Sequence, residues 1–282
     1  MKSKKVFPFF LSLILMVFMP CLSAFSIDFG GYLDNRTYYT TNVETGIEGL
    51  EGFYQLDRLQ LWLKTWLAPS LTFRIMGNYT FAIDDPVLFD LDQCELTGRY
   101  EFGGEDASLL QFQLGRFVLS ENTGNILNQN ADGFALSFLF PSSVVSVGFG
   151  YTGLLAKHSL QSTFTLSDAN DRDDPNVLLA SPRVLGVCQI DFIDIFPGND
   201  LFLSAVFQKD LRPEGDLIPE GQEVIEDYED SGRGGRYDSI YAGTGLSGII
   251  MESLYYDTFF YFQTGQTLSY VEDASSYTGF SY

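Results

Sequence analysis

Leu71-Thr72-Phe73-Arg74-Ile75-Met76-Gly77-Asn78-Tyr79-Thr80-Phe81-Ala82-Ile83-Asp84 is the stretch on which the fold turns. Its odd positions are apolar or aromatic apart from Gly77, and its even positions carry Thr72, Arg74, Asn78, Thr80 and Asp84. A period of two sustained this long is the signature of an extended strand with two chemically different faces. The same split lies upstream. Leu59, Leu61, Leu63 and Leu67 share one face, and Arg58, Gln60 and Lys64 share the other with Trp62 and Trp66. It returns where Val145, Val147, Phe149 and Tyr151 alternate with Ser146, Gly148, Gly150 and Thr152, and again in the aromatic stretch 255–265.

Strands of soluble sheets usually run about 5–6 residues, whereas a tilted strand needs about 9–11 to cross the hydrocarbon of a bilayer. The stretches here are of the second kind. Connector lengths give an independent reading, because a barrel in an outer membrane has short turns at one end and long loops at the other. Long or outer connectors are expected at about 42–52, 85–87, 120–132, 154–182, 212–236 and 271–275. Tight ones are expected at Ala68-Pro69-Ser70, 103–107, Pro141-Ser142-Ser143, Pro197-Gly198-Asn199-Asp200 and 251–254. The count is about twelve antiparallel strands in an all-β, up-and-down transmembrane barrel with both termini on the periplasmic side. It depends on reading 154–182 as one loop, within which 160–166 could instead form a hairpin arm.

Ahead of the strands, Lys2, Lys4 and Lys5 precede an apolar run from Val6 to Phe18, and Ala24 and Ser26 offer a small-x-small cleavage site. Residues 1–26 are expected to be a cleaved secretion signal, leaving 27–282 as the barrel domain. No later run of some 18 apolar residues offers a membrane helix. Phe280-Ser281-Tyr282 ends the sequence with two aromatics spaced by one residue. Two readings of that ending stay open: a terminal assembly signal, or a sequence truncated there.

Composition narrows the function. The chain of 282 residues carries 16 Lys plus Arg against 37 Asp plus Glu, a net charge of −21, which excludes a phosphate-tracking basic surface and so a nucleic-acid partner. One His and three Cys leave little material for a zinc site, and no cofactor is expected. The pair His158-Ser159 is the nearest thing to a hydrolytic dyad, but adjacent strand residues point to opposite faces. Gly232-Arg233-Gly234-Gly235 lacks the lysine of a phosphate loop. Enzymatic activity is not expected.

By parity, Arg58, Gln60, Lys64, Arg74 and Asn78 face the interior. So do Arg99, Glu101, Gln111 and Gln113, with Glu95, Gln189 and Asp191. A polar interior implies water. The four cations form either a basic strip that weakly favours anions or a wall salt-bridged to Glu95 and Glu101. Arg116 is ambiguous, because a bulge at Gly115 would reverse its parity. Two predicted outer loops are acidic: Asp168, Asp171, Asp173 and Asp174 in one, and Glu223, Glu226, Asp227, Glu229 and Asp230 in the other. Divalent cations suit such carboxylates, but no spacing matches a calcium loop, so the expected role is solvation. Cys94 and Cys188 should face lipid on separated strands, unpaired. Aromatic girdles are expected from Trp66, Tyr100, Phe102 and Tyr255 at one level and Tyr39, Tyr79, Phe81, Tyr241 and Tyr270 at the other.

Leader, alternating strands, tight turns and the Phe280/Tyr282 ending together make the chain resemble the outer-membrane β-barrel proteins of diderm bacteria, and Gln113-Leu114-Gly115-Arg116-Phe117 is similar to a porin strand. That resemblance implies an outer-membrane location, insertion by the barrel assembly machinery, lipid as surroundings, and passage of small solutes. The expected function is a porin-like channel for passive diffusion of small hydrophilic solutes. The alternative is a surface adhesin or structural barrel acting through its acidic loops. A soluble β-sandwich is a third reading, disfavoured by strand length.

Overall fold

The computed structural model describes residues 26–40, 52–82, 88–103, 108–160, 166–174, 176–212, 236–250, 253–271 and 274–281. Residues 1–25, on which the expected leader falls, and Glu223, Glu226, Asp227, Glu229 and Asp230 lie outside them. Twelve strands form one antiparallel sheet in strict chain order. They are β1 (Ile27–Thr40), β2 (Gly52–Ala68), β3 (Leu71–Ala82), β4 (Leu88–Phe102), β5 (Ser108–Ser120) and β6 (Asn128–Phe140). Then come β7 (Ser143–Tyr151), β8 (Arg183–Phe196), β9 (Asn199–Asp210), β10 (Tyr237–Ile250), β11 (Leu254–Val271) and β12 (Ala274–Ser281). One helix, α1 (Leu166–Asp173), and a 3-10 turn at Lys157–Ser159 lie between β7 and β8.

Residues that cannot continue a ladder set the tight turns. Pro69, Pro141 and Pro197 each follow the last residue of a strand and supply no amide hydrogen. Beyond Pro197, Gly198 takes φ of +75°, and its N–H donates to the Asp194 carboxylate at 2.6 Å. Asp194 itself stands at φ of +56°, where the β8–β9 register shifts between Phe192 and Phe196. The long connections fall at the opposite end of the sheet, as the connector pattern predicted. β7 pairs directly with β8, so no strand stands between them in the sheet, and 161–165, on which the hairpin-arm reading falls, lie outside the described residues.

Gly115 takes φ of +108° but produces no slip: Glu95 pairs with Gly115 and Cys94 with Arg116 on one side, and Gly133 and Asp132 face the same two residues on the other. Arg116 therefore keeps the parity of Leu114, opposite to Gln113. β4 and β5 stop pairing there, leaving a gap beside the upper part of β4.

The two faces differ throughout. Ladders join Gln111 to Ser137, Ser146, Gln189, Ser204, Gly243 and Tyr261, so one face can be followed from β5 to β11. On the other face, Leu61 of β2 is 56% exposed and Phe260 of β11 is 68% exposed. The sheet curls toward the first face, because Tyr261 of β11 reaches Glu121 just after β5 at 2.7 Å. The arrangement is compatible with a β-barrel, although among the described pairings none joins β1 to β12.

Inside the curl, the upper half is packed dry. Phe117 and Leu119 of β5 cluster with Leu127, Ala131, Leu185, Val187 and Val206. Here the structure adds to the expected polar interior: between β5 and β9 the inner face has an apolar core. Tyr241 packs against that core. It faces inward opposite Val206 and Gln263, not outward in a girdle. Trp66 and Tyr255 also carry inner-face parity, Trp66 on the side of Lys64 and Tyr255 on the side of Tyr261, so neither joins an outward girdle; Tyr39, Tyr79, Tyr100 and Phe102 are exposed on the outer face, and Phe81 is half-buried there.

Candidate functional site

Register brings the nine interior candidates to one face. Arg58 sits opposite Thr80, Gln60 opposite Asn78 and Lys64 opposite Arg74. Arg74 is next to Glu95, Thr97 to Gln113, Arg99 to Gln111, and Glu101 shares the parity of Arg99. A hydrogen-bonded seam crosses this face. Gln60 donates to Asp92 at 2.9 Å, Asn78 donates to the same carboxylate, and Gln113 donates to Glu95 at 2.6 Å. Asp92 occupies the register shift between Met76 and Gly77, and the extra residue aims its carboxylate at two amides.

Among the described contacts, Arg58, Lys64, Arg74 and Arg99 make no ion pair within 4 Å. Lys64 instead lies over the Trp66 ring, 4.9 Å from its centroid, and Arg74 points to the Met76 sulfur at 3.7 Å. Register places Asp28 beside Lys64, Asp34 beside Arg58 and Glu95 beside Arg74. The wall is thus a mixture of both signs in loose apposition.

Arg116 occupies the gap where β4 leaves β5. Its guanidinium donates to the Leu91 carbonyl at 3.0 Å, to the Leu154 carbonyl at 2.8 Å, and through two nitrogens to Asp132 at 3.0 and 2.8 Å. It satisfies a carbonyl that the interrupted ladder leaves behind and ties β4 to β6 and to the 152–182 connection.

The acidic residues of that connection depart most from expectation. Asp168 lies in the first turn of α1, where the helix dipole favours a carboxylate. It is buried, not solvated. Arg183 Nη2 reaches both its oxygens at 2.6 Å, Arg212 lies at 3.1 Å, and Ser181 donates to it at 2.8 Å. Arg183 and Arg212 also flank Asp210, at 3.3 and 2.6 Å. Two guanidinium groups and two carboxylates alternate around a closed ring, so each buried charge has opposite neighbours on both sides. Burial pushes the Asp168 carboxyl up, but Arg183, Arg212 and the Ser181 hydroxyl outweigh it and hold it below the usual range. For Asp171 burial prevails, with Asp168 and Asp174 adding to it, and the carboxyl is raised despite Arg212. Asp173 belongs to α1, and Asp174 accepts from the Asn176 N–H at 2.8 Å. The sequence hint for this ring was Arg183 and Arg212 standing at strand ends beside the two long connectors, where Asp168 and Asp210 can meet them.

At its other side the connection reaches across the curl. Ser159 donates to Asp90 of β4, and Gln129 of β6 donates to the Ser159 carbonyl at 3.1 Å. Beneath lies a small cavity lined by Leu127, Gln129, Arg183, Gln208, Ser239 and Tyr241. The β5–β6 connection also folds inward. Glu121 accepts from Tyr261, Thr123 and the Ile126 N–H, and these donors outweigh its burial and hold its carboxyl low.

Cys94 and Cys188 are free thiols four strands apart, Cys188 exposed on the outer face. No group of His, Cys, Asp and Glu among the described residues is arranged to hold a metal ion, and no described helix is long and apolar enough to cross a membrane. No protein-family description matches the chain, and no curated protein matches it.

Proposed function

We propose that the sheet closes into a bacterial outer-membrane β-barrel, delivered by a cleaved leader and inserted by the barrel assembly machinery, that serves as a porin-like channel for passive diffusion of small hydrophilic solutes. The observation that supports it is the partition of faces. Leu59, Leu61 and Leu63 stand exposed on β2 while Gln60 and Lys64 between them turn inward. A water-soluble protein does not offer so continuous an apolar surface to solvent, whereas lipid requires it. Inside, the mixed polar wall of β2 to β5 gives solutes hydrogen-bonding groups of both signs, which favours general diffusion over a single bound ligand.

A second reading is a structural or adhesive barrel acting through its outer loops. The dry cluster around Phe117 and Val206 favours it, because that cluster occupies interior space. Single-channel recording of the refolded exported chain in a planar bilayer separates the two. Stable ohmic steps, with an ion preference that moves toward cations when Arg58, Arg74 and Arg99 are made neutral, support the channel. A folded, heat-modifiable barrel without conductance supports the second reading.

A further inference from the structure

Charge is divided unevenly between the two halves of the sheet. Arg58, Lys64, Arg74 and Arg99 stand on β2 to β4, whereas β8 to β11 carry no basic residue beyond Arg183 and Lys209, which pair with Asp168, Asp210 and Asp238 near the strand ends. The inner wall of β8 to β11 is therefore acidic toward the tight-turn end. There Asp200 of β9 and Asp257 of β11 flank Ser247 of β10, and both carboxylates are exposed. Among the described contacts neither makes an ion pair.

Rings fill the next two rows of the same wall. Phe202 and Phe259 flank Gly245, and Ser204 and Tyr261 flank Gly243. The glycines are where two of the rings lie: a Cβ on Gly245 would stand 2.3 Å from the Phe202 ring, and a Cβ on Gly243 would stand 2.3 Å from the Tyr261 ring. A ring laid against a glycine keeps its other face for the interior. Tyr261 is held in place by its bond to Glu121, and Phe259, 45% exposed, meets it edge to face with centroids 6.1 Å apart. Ser204 in this row is buried, and its Oγ has no hydrogen-bond partner among the described residues, a polar demand left open at the rim.

Aromatic faces are electronegative, and carboxylates beside them add full negative charge. An uncharged apolar solute meets those carboxylates unfavourably, and a strongly hydrated inorganic cation gains little from the rings. An alkylated ammonium uses both. We propose that the inner wall around Gly245 is a binding site for an organic ammonium cation, caged by Phe202, Phe259 and Tyr261 and neutralised by Asp200 and Asp257. Neighbouring strands are about 4.8 Å apart and successive rows of one face about 7 Å, so a trimethylammonium head over Gly245 reaches the rings and both carboxylates at once. The inference rests on the channel reading above for the access of solute to this wall, and it deepens that reading by naming a solute class.

The probe is choline, set against its uncharged isostere with carbon in place of nitrogen and against potassium ion. Binding is measured by titration calorimetry on the refolded exported chain in a maltoside detergent, conductance in planar bilayers, and folding by heat-modifiable mobility. The parent should bind choline, bind the isostere at least about tenfold more weakly, and lose little choline to an equal concentration of potassium. Phe259→Leu keeps an apolar side chain without the ring, and Asp257→Asn keeps the shape without the charge. Each should weaken choline at least about fivefold. Both positions are exposed, so both variants should fold. Equal binding of choline and the isostere overturns the proposal, and so does a loss in Asp257→Asn with none in Phe259→Leu. Conductance without choline binding overturns the site and leaves the channel standing. Choline binding without conductance supports the site and overturns the channel reading.

Discussion

Tyr261 on β11 donates a 2.7 Å hydrogen bond to Glu121 at the end of β5, across six places in the sheet order. A flat or gently twisted sheet could not bring these residues together. The bond marks how far the sheet has curled and joins two parts of the chain that no ladder connects. Tyr261→Phe should therefore cost about 1.5–3 kcal/mol, the range for a hydrogen bond to a charged acceptor. Glu121→Gln should cost a comparable amount. A double-mutant cycle followed by denaturant unfolding in detergent checks the pair, with clear non-additivity expected.

Gly115 tolerates no side chain. A Cβ there would stand 2.2 Å from the Cys94 carbonyl oxygen, and φ of +108° is closed to L side chains in any case. Gly115→Ala should break the β4–β5 ladder at the point where it already ends and greatly lower the yield of heat-modifiable folded protein. Gly124, at φ of +66° with open space around it, should accept the same change at a cost of about 1 kcal/mol.

Arg116 offers a third case. Its partners are two backbone carbonyls and Asp132, with Asp90 at 3.9 Å, and replacement by Met takes the guanidinium donors from both carbonyls and from Asp132 and the nearby positive charge from Asp90. A loss of about 3 kcal/mol is expected, as for a buried pair with one member removed. Thermal unfolding of Arg116→Met against Arg116→Lys measures it, with Lys recovering only part of the stability because it cannot reach several acceptors at once.

The buried ring around Asp168 should respond to acid in one direction. Asp168 is held below its ordinary carboxyl range when folded, so its contribution to stability is complete above the unfolded value of about 3.9 and is lost as pH falls through the lower folded value. Hydrogen exchange of the amides around 176–183 should thus be unchanged between pH 7 and 5, once corrected for intrinsic rates, and should accelerate only in stronger acid. Faster exchange already at pH 5 would contradict this.

The strands and turns were legible from Leu71 onward because period two and proline placement are local properties of the chain. Each tight turn but one carries a proline or glycine where the ladder must stop. The interior was only half legible. Parity found Arg58, Gln60 and Asn78 correctly as neighbours on one face, since ladders preserve parity. Parity does not report what lies above a face, so the apolar cluster around Leu119 was not anticipated, and Tyr241 was placed in a girdle by its position near a strand end although its ladder partners put it on the inner face. Asp168 was the hardest to read. In a run of four acidic residues nothing local distinguishes the one that is buried, and its partners Arg183 and Arg212 lie 15 and 44 positions further along the chain. Arg116 stayed ambiguous for a smaller reason: a glycine in a strand is compatible with a bulge, and only the ladders show that Gly115 keeps the count.

The central claim is that the sheet stands in a bilayer with one face toward lipid and the other toward water. Spin labels decide it most directly. One label goes on the native Cys188, exposed on the outer face of β8, in a Cys94→Ser background; the other goes on Gln60→Cys of β2 in a chain where Cys94 and Cys188 are both Ser. In lipid vesicles the Cys188 label should collide preferentially with dissolved oxygen, and the position-60 label with a water-soluble nickel chelate. Equal access of both labels to the chelate, or the reverse order, would contradict the account.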